Sequence, residues 1–231
     1  MKNVMFLLFF GFFDLTKAVD SAQTLQQRLN DWNFNCNVRP ANDTHLNVRC
    51  NLVNAYALRW VFQLLEDKNI NELKLENLYR EGRWKLNQLP WFKCEVLKFV
   101  NGGFSSIEDY AFVNVEGLTK LYFKNVPLKT LPFFGHLPWL KTLGFIKVPL
   151  QQLTNHASKL AFHQNFYGKR TFAGLTSLQT LILRDTNIYQ IAPLDIYDLP
   201  NLVTIQPQIL APIGFVNHQE PNSVLAEIIE R

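Results

Sequence analysis

Two pairs of residues have the types and spacing that acid–base or metal chemistry asks for. Glu72 and Glu76 flank Lys74 in "NELKLE", and on a strand both carboxylates would project from one face with the lysine between them. Paired carboxylates are common equipment for general acid and base catalysis. Lys74 and the neighbouring Lys98 would neutralise them in water, so the expected state is a solvated ion-pair surface. His156 and His163 form the second pair, with Asn155 and Lys159 close by. Two imidazoles seven residues apart lack a third ligand in sequence, so no metal is expected.

Nucleophile and phosphate motifs are missing from the sequence. It contains no Gly-x-Ser-x-Gly elbow, no His-Glu-x-x-His, no dinucleotide glycine fingerprint and no phosphate loop. Asn101-Gly102-Gly103 reads as a turn after a strand. The expectation is a protein with no catalytic residue and no cofactor, a hydrolase with an unrecognised site being the remote alternative. The net charge of +4 is too modest to imply nucleic acid.

The elements that would hold these residues show in "GLTKLYFKNVPLKTLP", residues 117–132. Leu121 and Phe123 are one strand step apart, so Tyr122, Lys120 and Lys124 face the other way. So short a strand cannot bury its apolar face alone, and the pattern recurs. Equivalent segments start at Ile70, Cys94, Leu118, Leu140, Leu178 and, in decayed form, Leu202, at intervals of 24, 24, 22, 38 and 24 residues. The long interval carries an insertion at about 153–171. Between the strands, "IEDYAFVNVEGL", "LPFFGHLPWL", "FAGLTSL" and "IAPLDIYDLPNL" return the chain, and Leu-Pro pairs fix backbone angles where no sheet hydrogen bond is needed. Phe112, Phe133, Phe134, Trp139 and Phe172 are expected to fill the interior.

With "LxxLxLxx(T/N)xL" sustained from Ile70 to about Ile209, the chain resembles the extracellular leucine-rich repeat superfamily. The "LxxLxLxxTxI" form at 178–188 and the "IEDYAF" return are similar to secreted arthropod proteins grouped with the non-catalytic subunit of a shrimp luciferase. The implied fold is an α/β repeat solenoid: a leucine-rich repeat horseshoe with a short-stranded parallel concave sheet and an irregular or short-helical convex side. The motif's usual asparagine is replaced by Leu78, Gly102, Val126, Val148 and Thr186, while Asn77, Asn101 and Asn125 stand one place earlier. A buried asparagine ladder is therefore not expected.

Both ends of such a stack need caps. Residues 19–69 are read as an N-terminal cap containing a strand-like "HLNVRC" and an apolar "AYALRWVFQLL" at helical spacing. A Cys36–Cys50 disulfide there would close a loop of about 15 residues, worth on the order of 3 kcal/mol in the chain-entropy model. Residues 70–210 are the repeats and 211–231 the C-terminal cap, with a short amphipathic helix in "PNSVLAEIIER". Cys94 falls at the first apolar position of its repeat and is expected to be a buried free thiol. Asn42-Asp43-Thr44 is an N-glycosylation sequon inside the proposed disulfide loop. Residues 1–18 have the charge, apolar run and small-residue ending of a signal peptide, and no stretch is long enough to span a bilayer. The expected localisation is secreted and extracellular.

What remains is the outward face of the sheet. Its expected residues include Lys74, Lys98, Lys120, Tyr122, Lys124, Gly144, Ile146, Ile182 and Arg184, a basic patch around one tyrosine with apolar neighbours. A face about 18 residues wide is close to one side of a standard protein interface. Tyr122 is the expected anchor, with Gly144 leaving room for a partner side chain. The expected function is non-covalent binding of an extracellular, acidic protein partner at this concave sheet. An accessory subunit that stabilises a secreted enzyme is the alternative reading.

Overall fold

The computed structural model describes residues 21–51, 56–79, 84–153, 171–188, 191 and 196–207. The expected signal peptide (1–18), nearly all of the expected insertion (154–170), with His156 and His163, and the expected C-terminal cap (211–231) lie outside the described residues.

Residues 21–31 form a helix, α1. A hairpin of β1 (Cys36–Pro40) and β2 (Leu46–Asn51) follows, then α2 (Ala57–Leu65) and β3 (Asn69–Glu76). The chain continues through β4 (Trp84–Leu86), β5 (Phe92–Val100), β6 (Phe104–Ile107), β7 (Val115–Glu116) and β8 (Lys120–Lys124). Last come β9 (Thr142–Ile146), β10 (Thr180–Arg184) and β11 (Thr204–Pro207). The main sheet has the order β1-β2-β3-β5-β8-β9-β10-β11, with β7 beside β5. Only the β1–β2 pair is antiparallel, and every later pair is parallel. This is a β-solenoid of about five turns. The decayed segment at Leu202 does add a strand, because Thr204 and Ile205 pair with Thr180 and Leu181.

Alternation along each strand builds the core. In β8, Leu121 and Phe123 are buried, Lys120 and Lys124 are exposed and Tyr122 is half-buried. Register then stacks like on like: Leu73, Leu97, Leu121, Leu143 and Leu181 make one buried row, and Leu75, Phe99, Phe123, Phe145 and Leu183 the next. Phe99, Phe123 and Phe145 lie nearly parallel, with ring centroids 5.5 and 5.4 Å apart. From the return segments, Phe112, Phe134 and Phe172 stack behind them at 6.2 and 6.3 Å.

Two aromatics expected inside are not. Trp139 is 65% exposed. Phe133 is only half-buried, set edge-on to Tyr110 with centroids 4.9 Å apart. For Trp139 the cause is a tight turn in which Leu140 N donates to Leu137 O at 3.2 Å. That turn sends Leu137 and Leu140 inward and leaves Trp139 on the surface. The described returns contain turns, the short strand β7 and a two-stranded parallel sheet of β4 and β6, and the helices α1 and α2 belong to the N-terminal end.

That end is closed by local contacts. On α2, Leu58, Val61, Phe62, Leu64 and Leu65 are buried while Arg59, Trp60 and Gln63 face out, an amphipathic pattern that seats Phe62 4.9 Å from Phe92. Cys36 and Cys50 are register partners across the hairpin and are disulfide-bonded. Gln26 of α1 grips the free edge of β1: its Nε2 donates to Cys36 O at 2.9 Å, and Val38 N donates to its Oε1 at 2.8 Å. An edge strand that would otherwise offer open backbone groups is thereby partly satisfied.

Candidate functional site

Register brings all nine sequence-predicted face residues onto one side of the sheet, in three rows across the strands. The first row reads Asn47, Glu72, Val96, Lys120, Thr142, Thr180, Thr204; the second Arg49, Lys74, Lys98, Tyr122, Gly144, Ile182, Gln206. The third runs Asn51, Glu76, Val100, Lys124, Ile146, Arg184. Sequence reasoning missed the contribution of β2, which adds Asn47, Arg49 and Asn51. The signal was present, because Leu46 stands 24 residues before Ile70, one repeat period, and pairs with it.

The two halves of the face differ in chemistry. On the β2–β5 side the charges pair with one another. Lys98 Nζ donates to Glu72 Oε2 at 2.6 Å, Lys74 Nζ lies 2.8 Å from Glu76 Oε1, and Arg49 Nε donates to Glu76 Oε2. Burial by itself would push the Glu76 carboxyl up, but hydrogen bonds from Arg49 and Lys74, helped by their charges, hold it below its ordinary value. Glu76 thus stays ionised at neutral pH, which is wrong for a general acid, and both its oxygens are occupied, which is wrong for a base. An open groove of about 700 Å³ runs over this half, lined by residues that include Asn35, Asn37, Arg39, Asn47 and Asn71.

Toward β10 the face loses its carboxylates. Lys120, Lys124 and Arg184 are exposed, and among the described residues none of them forms a salt bridge. Arg184 instead reaches Gln206 Oε1 at 3.4 Å. Between these cations sit Ile146 and Ile182, both half-buried on adjacent strands. Tyr122 lies flat over Gly144: a Cβ at that glycine would come within 2.5 Å of the ring. The space expected for a partner side chain is therefore filled by Tyr122 itself. Lys98 Nζ stands 5.9 Å from the ring centroid, and burial, with the nearby Glu72 charge, raises the phenol pKa. Tyr122 is a packed platform more than a free anchor.

An asparagine ladder borders the face. Asn77, Asn101, Asn125, Lys147 and Asp185 each follow a strand with φ between 51° and 55°. Asparagine and aspartate tolerate this left-handed region better than other side chains with a Cβ. Asn77 Nδ2 donates to Asn51 Oδ1 at 2.9 Å, Asn101 to Asn77 at 3.0 Å and Asn125 to Asn101 at 2.9 Å. These rungs stand at the exposed surface, while Leu78, Gly102, Val126 and Val148 occupy the buried places one residue later. The ladder has moved outward by one residue; the motif's own position carries none.

The remaining predicted residues fall as follows. Cys94 is free and buried, and burial pushes its thiol up to about 12, so it carries almost no thiolate at neutral pH. Asn42 lies at the exposed hairpin tip, its Oδ1 accepting from Thr44 N at 3.0 Å and His45 N at 2.8 Å. Among the described residues no group of three His, Cys, Asp or Glu could hold a metal ion, and no helix is long and apolar enough to cross a membrane. No protein-family model matches the chain, and no curated protein matches it.

Proposed function

We propose that this chain is a secreted leucine-rich repeat protein that binds an acidic protein partner, non-covalently, on the concave face of its sheet, and that it is not an enzyme. The observation that carries the reading is the β8–β10 half of the face. Half-buried Ile146 and Ile182 are flanked there by Lys120, Lys124 and Arg184, cations that have no carboxylate partner among the described residues. An apolar centre with a charged rim is the arrangement a protein interface uses, the cations steering an acidic partner and the isoleucines giving up water on contact. The leucine-rich repeat assignment is supported by inward apolar positions that recur at 22 to 24 residues in four of the five intervals, the fifth carrying the insertion. A formed disulfide supports an oxidising compartment, in which Asn42 would be the glycosylated residue.

Affinity capture from the native secretion tests this, with the parent and a Lys120→Glu/Lys124→Glu variant compared side by side. Both positions are exposed, so the fold should persist by circular dichroism. The expected result is one acidic protein held by the parent, released as salt rises, and lost from the variant. Equal capture by both proteins would refute the site. Recovery at fixed stoichiometry through purification would favour the accessory-subunit alternative over a free recognition module.

A further inference from the structure

We propose a second, independent binding site at the other end of the same sheet face, in the groove over β1, β2 and β3, whose ligand is a carboxylated sugar: a hydroxyl-rich ring with one negative charge. The groove measures about 700 Å³, within the usual range of small-molecule sites. Among the residues that line it Val48 alone is apolar, and Val48 is itself buried, so a ligand meets only polar and charged side chains.

Two arginines supply the place for the carboxylate. Arg39 stands opposite Asn47 across the hairpin, and Arg49 opposite Asn37. The arginines are therefore diagonal neighbours on adjacent strands, roughly 7–8 Å apart at the backbone, and both line the groove. Arg39 Nε donates to Asn37 Oδ1 at 2.9 Å, and Arg49 Nε donates to Glu76 Oε2. Each guanidinium is thus steadied through its Nε, while its terminal N–H groups have no acceptor among the described residues. Such a fork matches a carboxylate bidentately. The strands beneath are joined by the Cys36–Cys50 disulfide, so binding orders little that is not already ordered.

Charge and amides narrow the class. Arg39, Arg49 and Lys74 line the groove together with Glu72 and Glu76, and Lys98 reaches Glu72 from β5 at 2.6 Å. Lys98 answers Glu72, Arg49 and Lys74 share Glu76, and Arg39 has no carboxylate partner among the described residues. One carboxylate on the ligand meets the charge of Arg39 beside Arg49, whereas a polyanion would bring further charges against Glu72 and Glu76. Asn37, Asn47 and Asn51 accept through Oδ1 from Arg39, Asn71 and Asn77, which leaves their Nδ2 donors without a partner among the described residues. Asn71 is the converse, its Nδ2 donating to Asn47 and its Oδ1 left to accept. Ring hydroxyls both donate and accept, and so suit this mixture. A bare inorganic anion would leave most of these amides unused, and a protein partner would need an apolar centre that the groove lacks.

NMR titration of the full chain tests the assignment, following the side-chain amide signals of the groove asparagines. The probes are glucuronic acid, N-acetylneuraminic acid, glucose, N-acetylglucosamine, glucose 6-sulfate and acetate. The expected result is that one or both sugar acids bind at least tenfold more tightly than the neutral sugars, the sulfated sugar and acetate. Arg39→Gln should weaken that binding at least tenfold. Arg39 is exposed and its loss strands no buried group, so the fold survives. Arg28→Gln removes the same charge from an exposed position on α1 and should bind like the parent. Four outcomes would overturn the proposal: neither acid binds; a neutral sugar, glucose 6-sulfate or acetate binds as tightly as the better acid; Arg39→Gln binds like the parent; or Arg28→Gln loses as much as Arg39→Gln.

Discussion

Lys147 is the residue at which the turn chemistry fails. It occupies the same left-handed position as Asn77, Asn101 and Asn125, with φ 55°, but has neither a short amide to satisfy the turn nor a way to extend the ladder. Its backbone still keeps the register, Lys147 N donating to Arg184 O at 2.8 Å. A side chain with a Cβ in this conformation costs about 1–2 kcal/mol, which asparagine partly offsets by local hydrogen bonding. Lys147→Asn should therefore stabilise the protein by about 1 kcal/mol in urea unfolding, by relieving that cost and offering Asn125 Oδ1 a new donor. Lys147→Ala removes the same charge without either benefit and should not stabilise. Equal gains from the two variants would show that charge, and not the ladder, limits this turn.

At the level of elements, the period of the leucines was enough to place the starts of six strands, because inward positions recur even where outward ones vary. What lay between them was less legible. Trp139 looked like core by type, yet the Leu137–Leu140 turn expels it, and turn geometry leaves little trace in a hydrophobic pattern. The ladder was hidden by a shift of one residue, and the contribution of β2 by its place before the run of repeats. Gln26 was also missed, since a glutamine in an amphipathic helix normally reads as solvated surface. Its two hydrogen bonds to β1 nonetheless cover part of the edge of the sheet. Gln26→Ala should cost about 1–2 kcal/mol, the usual range for stranding partly buried polar groups. It should also raise self-association in sedimentation at high concentration, since an uncovered edge can pair with another chain. A variant that stays as stable and as monomeric as the parent would reduce the clasp to a passing contact.

The whole molecule is a line of coils, each touching mainly its neighbours, so its cooperativity depends on what crosses each junction. The N-terminal coils are joined by a disulfide, the Gln26 clasp, the Arg49–Glu76–Lys74 network and the asparagine ladder. Beyond β8, among the described residues, the ladder stops and the ion-pair network ends, and the junction rests on the sheet, on the return-segment hydrogen bonds and on two ring stacks, Phe99–Phe123–Phe145 and Phe112–Phe134. Phe123 is the middle ring, fully buried, and also meets Phe104 and Phe112. Phe123→Ala should cost about 3–5 kcal/mol, as large core truncations do. Because the missing ring lies where the asparagine ladder and the ion-pair network have ended, the loss should fall unevenly. Hydrogen exchange is expected to show protection retained in β1 to β5 and lost first in β9 to β11, with urea unfolding splitting into two steps. Uniform loss of protection across all strands, in a single transition, would mean that the sheet alone couples the coils and that the ring stack adds only local stability.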